Sequence, residues 1–163
     1  IAGNLIGAHN NLLSYYRLKD ILDSKSMLYN DSIDIKEMHR RMINSPIYDQ
    51  INMNTFNFVN AAFDNLLFRY PTQNEFDNSY AMIEDEMPNT VFGFSGTNKE
   101  DFIDIICNTR EFYEGTIHWS YLTLLARTPT TQETDFLMND FFNTCDFLKL
   151  QRYIMKTDEY AQF

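Results

Sequence analysis

The side chains of this chain that could do chemistry are few and far apart. The three histidines are His9, His39 and His118; no two are spaced at i and i+4, and no HExxH motif occurs. A zinc site built on one helix is therefore not expected. His118, beside Trp119, is predicted to be a satisfied histidine in the core or at its boundary. His9, within Gly-Ala-His-Asn, is predicted to stand at the start of a helix.

The sulfur-containing residues also lack the spacing of a site. Cys107 and Cys145 form no CxxC or Cys/His arrangement. They are either free, partly buried thiols, which is the interpretation we favour, or one disulfide. The eight methionines are scattered at apolar helical positions, which is typical of core packing. No CxxCH motif occurs, so covalent haem attachment within the chain is excluded.

The densest acidic run, Glu84-Asp85-Glu86, lies near a predicted helix end, where like charges and the helix dipole both oppose it. A solvated face is favoured there over a weak cation site. No EF-hand loop, Gly-rich phosphate loop or GxSxG motif occurs. The sequence therefore predicts no catalytic residue, no metal site and no cofactor.

Charge and composition narrow the class of protein. The net charge of −10 argues against nucleic acid as a partner, because phosphate backbones are bound by basic surfaces. No stretch approaches the roughly 20 apolar residues of a membrane-spanning helix. Hydrophobic residues make up 44% of the chain and charged residues 22%, as in ordinary globular domains. With only 5 Gly and 4 Pro, long helices are favoured over many tight turns.

A turn motif, Arg-x-Pro-Thr-x-x-Glu, occurs twice, and the second copy follows the first by 58 residues. Its residues are Arg69, Pro71, Thr72 and Glu75 in the first copy, and Arg127, Pro129, Thr130 and Glu133 in the second. Each copy is followed by a Thr-x-Glu-aromatic segment, at residues 109–112 and 157–160. We interpret these segments, and the related residues 45–48, as the endings of units. A ten-residue insertion at 87–96 accounts for the longer first copy.

The motif has a physical interpretation as a helix joint. In Thr72-x-x-Glu75 and Thr130-x-x-Glu133, the Thr oxygen can accept the backbone N–H of the Glu, whose carboxylate can accept the Thr N–H. The preceding Pro disfavours continuation of the previous helix. Each Arg falls in the last turn of that helix, where a cation complements the dipole. Thr97-x-x-Glu100 is predicted to be a third capping box.

These patterns predict an all-α fold, with a multi-helix array of two similar three-helix units and an N-terminal helical segment. The N-terminal segment covers residues 1–55, with helices near 11–22 and 33–44. The first unit covers 56–115 and the second 116–163. Apolar residues in both units recur at i, i+3 and i+4, and no alternating β pattern is evident.

The repeated turn resembles a Leu-Gly-Arg-x-Pro-x-x-x-Glu turn found in a broad group of bacterial helical modules that close with Ser-x-Glu-Tyr. The phycobilisome linker domain is the best-known member. The resemblance covers about residues 56–163, and Phe68 and Ala126 replace the Gly of the turn. The chain is acidic, whereas a linker that binds acidic antenna proteins would be basic. The resemblance therefore implies a helical assembly module, with no light-harvesting role.

Three classes of function follow. We expect a non-catalytic scaffold or linker subunit that binds other protein subunits of an assembly. The alternative is an accessory subunit of a cell-envelope redox or transport complex that contacts a cofactor-bearing partner. An enzyme using scattered carboxylates is the third. The compartment is not fixed by the sequence, with the envelope or extracytoplasmic side favoured, and both motif copies are candidates for a partner-binding edge.

Overall fold

Helices account for most of the chain in a computed structural model that describes residues 2–162. The predicted, predominantly all-α fold is confirmed. The N-terminal segment forms α1 (Ala2–Tyr29), α2 (Ile35–Ile43) and α3 (Pro46–Asn52). The next helices are α4 (Thr55–Leu67), α5 (Gln73–Glu84) and α6 (Lys99–Cys107). The last are α7 (Arg110–Leu125), α8 (Thr131–Thr144) and α9 (Phe147–Met155), before a short 3-10 turn at Tyr160–Gln162.

The N-terminal segment is more helical than the sequence indicated. Helix α1 is more than twice as long as the predicted helix at 11–22, and the sequence did not predict α3. Ser45 starts α3 by accepting the Tyr48 N–H at 3.1 Å, with Pro46 in the first helical turn, where its missing N–H costs nothing. His9 lies two turns inside α1, so its predicted place at a helix start is wrong.

Each of the two units contains three helices, in the predicted order of helix, Pro-Thr turn, helix, helix. The first unit is α4, α5 and α6, and the second is α7, α8 and α9. The predicted boundary between residues 115 and 116 falls inside α7, so the second unit begins at Arg110. The reason is that residues 109–112 start a helix instead of ending a unit. The Thr109 hydroxyl accepts the Phe112 N–H at 3.1 Å.

The predicted insertion at 87–96 contains a β-hairpin that the sequence did not indicate. Strands β1 (Asn89–Val91) and β2 (Phe94–Gly96) pair antiparallel, with Val91 opposite Phe94. The two turn residues, Phe92 and Gly93, have φ values of 54° and 81°. Positive φ at both positions matches the twist of a two-residue hairpin turn. Strands of three residues are too short to give a readable alternation of apolar and polar side chains.

The predicted capping box at Thr97 is shifted by one residue. Asn98 is the N-cap of α6, and its side chain accepts the Asp101 N–H at 2.9 Å. Asp101 in turn accepts the Thr97 N–H at 2.7 Å. Glu100, the predicted partner, instead pairs with Arg17 of α1 at 3.0 Å. Asn is as good an N-cap as Thr, so local pattern alone did not distinguish the two registers.

The two units share one core, because α7 packs directly on α4. The fully buried side chains include Phe63 and Phe102 of the first unit and Phe112 and Ile117 of the second. Contact between the helix backbones depends on Gly115. A Cβ atom added there would lie 2.1 Å from the Leu66 carbonyl oxygen. The absence of a side chain at position 115 therefore sets the distance between the units.

Candidate functional site

The first copy of the motif forms a clamp of one arginine and two glutamates, which we call the first clamp (Arg69, Glu75 and Glu111). Arg69 donates from Nη1 and Nη2 to the two oxygens of Glu75 at 2.9 and 2.7 Å. It also donates from Nε and Nη2 to Glu111 at 2.6 and 3.2 Å. The guanidinium lies over the Phe63 ring, 5.3 Å from its centroid. One side chain thus joins the end of α4 to the starts of α5 and α7. Both motif arginines follow the C-cap residue of the preceding helix, so their predicted place in its last turn is wrong.

The second copy repeats this arrangement in the second clamp (Arg127, Glu133 and Glu159). Arg127 donates from Nη1 and Nη2 to Glu133 at 3.0 and 2.7 Å, and from Nε and Nη2 to Glu159 at 2.6 and 2.7 Å. Its guanidinium lies 5.0 Å from the centroid of the Tyr121 ring. Tyr121 and Phe63 both precede their arginine by six residues. The repetition therefore includes the aromatic support of each arginine.

The two predicted capping boxes are present. Thr72 and Thr130 are the N-caps of α5 and α8, and each donates its backbone N–H to the glutamate three residues on, at 2.8 and 2.7 Å. Each Thr hydroxyl also accepts the N–H of that glutamate at 3.3 Å. Pro71 and Pro129 precede these caps. The same carboxylates therefore cap one helix and bind the arginine of the previous one.

These contacts fix the protonation states of the clamps. Hydrogen bonds from Arg69 lower the pKa of Glu75 to about 2, and those from Arg127 lower the pKa of Glu133 to about 2. The pKa of Arg69 is raised by its bonds to Glu75 and Glu111, and that of Arg127 by its bonds to Glu159 and Glu133. A carboxylate with so low a pKa is a poor general base at neutral pH. The chemistry available to the clamps is therefore the fixing of helix ends.

The structure brings all eight motif residues to the two joints and adds a partner that the sequence reasoning missed. Glu111 and Glu159 lie in the Thr-x-Glu-aromatic segments, which recur in the sequence without indicating a role for the Glu. The signal was the matched spacing, because the distance from Arg to this Glu is 42 residues in the first copy and 32 in the second. The difference equals the ten-residue insertion.

The other candidate residues are dispersed over the molecule. His118 stacks on Phe68 with ring centroids 4.4 Å apart, at the predicted core boundary. Cys107 and Cys145 are free thiols, the first buried and the second partly so. Burial raises the pKa of Cys107 to about 12, which leaves it unreactive. The run at residues 84–86 begins at the last residue of α5. Within residues 2–162, no three His, Cys, Asp or Glu side chains are grouped as metal ligands.

A large apolar groove lies between the N-terminal segment and the two units. It has a volume of about 740 Å³ and is lined by residues of α1, α2, α3, α4, α7 and α9. Its floor contains buried side chains such as Ile35, Leu66 and Phe112. Its rim is exposed apolar surface, contributed by Met42, Ile47, Ile51, Phe68 and Trp119. A concave apolar surface of this size is typical of a binding site.

The polar groups of the groove are few. His39 donates from Nδ1 to the Ile35 carbonyl, 2.8 Å away, and packs edge-on against Phe112. Its burial lowers its pKa, so the ring is neutral at pH 7. Asn65 donates to the Tyr48 hydroxyl at 2.9 Å, and Asp64 is the carboxylate among the lining residues. The groove is therefore nearly free of charge on a strongly acidic chain.

The first clamp is connected to the groove through its neighbours in sequence. Phe68 precedes Arg69 and Phe112 follows Glu111, and both aromatic rings line the groove. The bonds from Arg69 to Glu111 therefore join the two helices, α4 and α7, beside these lining residues. The second clamp has no comparable neighbour among the lining residues.

Comparisons with family models, with curated proteins and with solved structures find no match to this chain. Among the described residues, no helix is both long and apolar enough to cross a membrane.

Proposed function

We propose that this protein is a non-catalytic interaction subunit that binds another protein through the apolar groove. The observation that carries the proposal is the groove itself, with its rim of exposed Met42, Ile47, Ile51 and Trp119. Apolar contacts of this kind supply most of the affinity of protein interfaces, especially where an aromatic residue stands at the centre.

The first clamp supports the proposal because it joins α4 to α7, two of the helices that line the groove. The Arg69 guanidinium makes four hydrogen bonds to Glu75 and Glu111 and also bonds a backbone carbonyl. Side chains used in this way hold helices in place and are not free to bind a partner. We therefore assign the motif to the scaffold and the binding role to the groove. A preformed site binds with less loss of conformational entropy than a flexible one.

The test is capture of partners by the full chain in two forms, wild type and Ile47→Asp. Ile47 is 52% exposed, close to the N-terminus of α3, where an Asp is tolerated by the helix dipole. We expect proteins recovered with the wild type from an extract of the source cells to be lost with Ile47→Asp. Phe94→Asp, on the exposed hairpin away from the groove, should retain them.

The same experiment can contradict the proposal. If recovered proteins bind Ile47→Asp as tightly as wild type, the groove is not the binding surface. If instead the wild type recovers no protein and remains monomeric at all concentrations, an interaction subunit is ruled out. Circular dichroism of both variants establishes that each is folded.

A further inference from the structure

The first half of α1 carries an apolar stripe that its own chain leaves uncovered. Its residues are Leu5, Ile6, Leu12, Leu13 and Tyr16, with His9 among them. They are spaced at three, four and seven residues, so they share one face of the helix. All five apolar side chains are between 43% and 67% exposed. The second half of α1 differs, because Ser24 and Leu28 are buried where it packs on the N-terminal helices.

The stripe lies in the part of the chain that has the fewest charges. Residues 1–16 contain no Asp, Glu, Lys or Arg, although the whole chain has a net charge of −10. Two copies that met through most other surfaces would bring carboxylates together. The stripe and the groove avoid this. The stripe contains no carboxylate, and the carboxylate lining the groove is that of Asp64.

The stripe is also the kind of surface that an apolar groove binds. An amphipathic helix that presents a row of Leu and Tyr side chains is the usual occupant of an apolar groove between helices. The groove is lined by side chains from six helices and is open at an exposed apolar rim. Within one chain the stripe does not fill it, since residues 5–13 are all exposed.

We propose that residues 5–16 of α1 of one copy bind in the groove of a second copy. This inference rests on the proposed function, in that it names the chain itself as a groove partner. The two surfaces are different patches, so the contact is head to tail. A pair joined in this way would retain one free stripe and one free groove, so the association would continue into open chains instead of stopping at a dimer.

The test uses one variant for each surface. Leu12→Asp places a charge on the stripe, and Ile47→Asp places one on the groove rim. We expect the mass of the wild type, measured by light scattering, to rise with concentration beyond that of a dimer. Each variant alone should remain monomeric. Mixed in equal amounts, they should form a dimer and nothing larger, because only the stripe of Ile47→Asp and the groove of Leu12→Asp remain intact.

Matched controls separate this contact from a general effect of charge. Asn11→Asp adds the same charge to the opposite face of α1, and Phe94→Asp adds it to the hairpin. Both should assemble as the wild type does. All substituted residues are exposed, and circular dichroism of each variant would show whether it is folded.

Four outcomes would overturn the inference. A wild-type protein that stays monomeric at high concentration would exclude the head-to-tail association. If Ile47→Asp self-associates as the wild type does and Leu12→Asp does not, the contact is a pairing of α1 with α1. A mixture of the two variants that stays monomeric excludes the head-to-tail contact. Binding of the stripe to vesicles of neutral phospholipid by a chain that does not self-associate would assign the stripe to a membrane surface. In each case, a different protein that is captured through the groove would leave the proposed function standing.

Discussion

At the scale of single residues, the two arginines are the most connected side chains of the fold. Each binds two carboxylates with both bidentate geometry and aromatic support. Isolated surface ion pairs contribute little to stability, and networks with planar, bidentate contacts contribute more. The clamps belong to the second kind, although each arginine is about one third exposed.

The first prediction concerns the shape of the guanidinium. Arg69→Lys and Arg127→Lys keep the charge, but one ammonium cannot reproduce four directed bonds to two carboxylates. We expect each to lower the free energy of unfolding by about 1 kcal/mol in urea denaturation. The matched control is Arg110→Lys, whose arginine makes one exposed bond to Glu114 at 3.1 Å and should change stability by less than about 0.5 kcal/mol. Equal effects at all three positions would argue against the clamps as a special feature.

The second prediction concerns the loss of stability at low pH. The pKa of Glu75 and Glu133 is about 2 in the folded chain against an ordinary value of 4.5. The unfolded chain therefore binds these protons first as the pH falls. Stabilisation by the clamps is complete above about pH 5 and is lost progressively toward pH 2. Urea denaturation at a series of pH values should show this decline in the free energy of unfolding. The decline with pH should be less steep in Glu75→Gln and in Glu133→Gln. If it is as steep in both variants as in the wild type, the two glutamates are not its source.

The third prediction concerns backbone strain before each arginine. Phe68 and Ala126 have φ values of 55° and 51°, in the left-handed region that ends a helix and favours glycine. Ala126 is exposed, so Ala126→Gly should raise the free energy of unfolding by roughly 0.5–1 kcal/mol. Phe68→Gly should give no such gain, because it removes the ring stacked on His118. A destabilised Ala126→Gly variant would show that strain is absent.

At the scale of helices and strands, local patterns predicted the joints well and the long-range contacts poorly. Thr72 and Thr130 were identified as caps because a capping box is complete within four residues. The roles of Glu111 and Glu159 depend on packing between helices 32 to 42 residues apart in sequence, which no local pattern contains. The groove was not predicted for the same reason.

Errors in the predicted elements have related causes. The hairpin at 89–96 consists of strands too short for periodicity to be read. The segment from Thr109 to Phe112 recurs in the sequence, but its recurrence does not indicate whether a helix ends before it or begins at it. The geometry settles this, since the Thr oxygen accepts an N–H from the residues that follow.

The fourth prediction tests the close approach of α4 and α7. Gly115→Ala places a methyl group against the Leu66 carbonyl, which belongs to the helix backbone and cannot move aside on its own. We expect a loss of about 1–3 kcal/mol or more in the free energy of unfolding. Gly7→Ala is the matched control, because its added Cβ meets nothing within 4 Å in α1. That change should stabilise by up to about 1 kcal/mol, through helix propensity. Equal results for the two would mean that the helices can separate at little cost.

At the scale of the whole molecule, the two units are packed around a single core. Their buried side chains belong to one hydrophobic core, α7 packs on α4, and the first clamp joins the first unit to the start of the second. Duplicated helical units in extended repeat proteins contact only their neighbours and can open separately. Here the shared core and the charged clamp oppose separate opening.

The fifth prediction follows from that shared core. Leu150 of α9 is buried in the second unit, and Leu150→Ala should cost about 2–5 kcal/mol. In a cooperative fold, this loss reduces the protection of all stable helices together. We therefore expect hydrogen exchange measured by mass spectrometry to accelerate in α4 of the first unit as much as in α8. Fluorescence of Trp119 and far-UV circular dichroism should give the same unfolding midpoint. Accelerated exchange confined to α8 and α9 would instead mean that these two helices open separately, while α7 stays packed on α4.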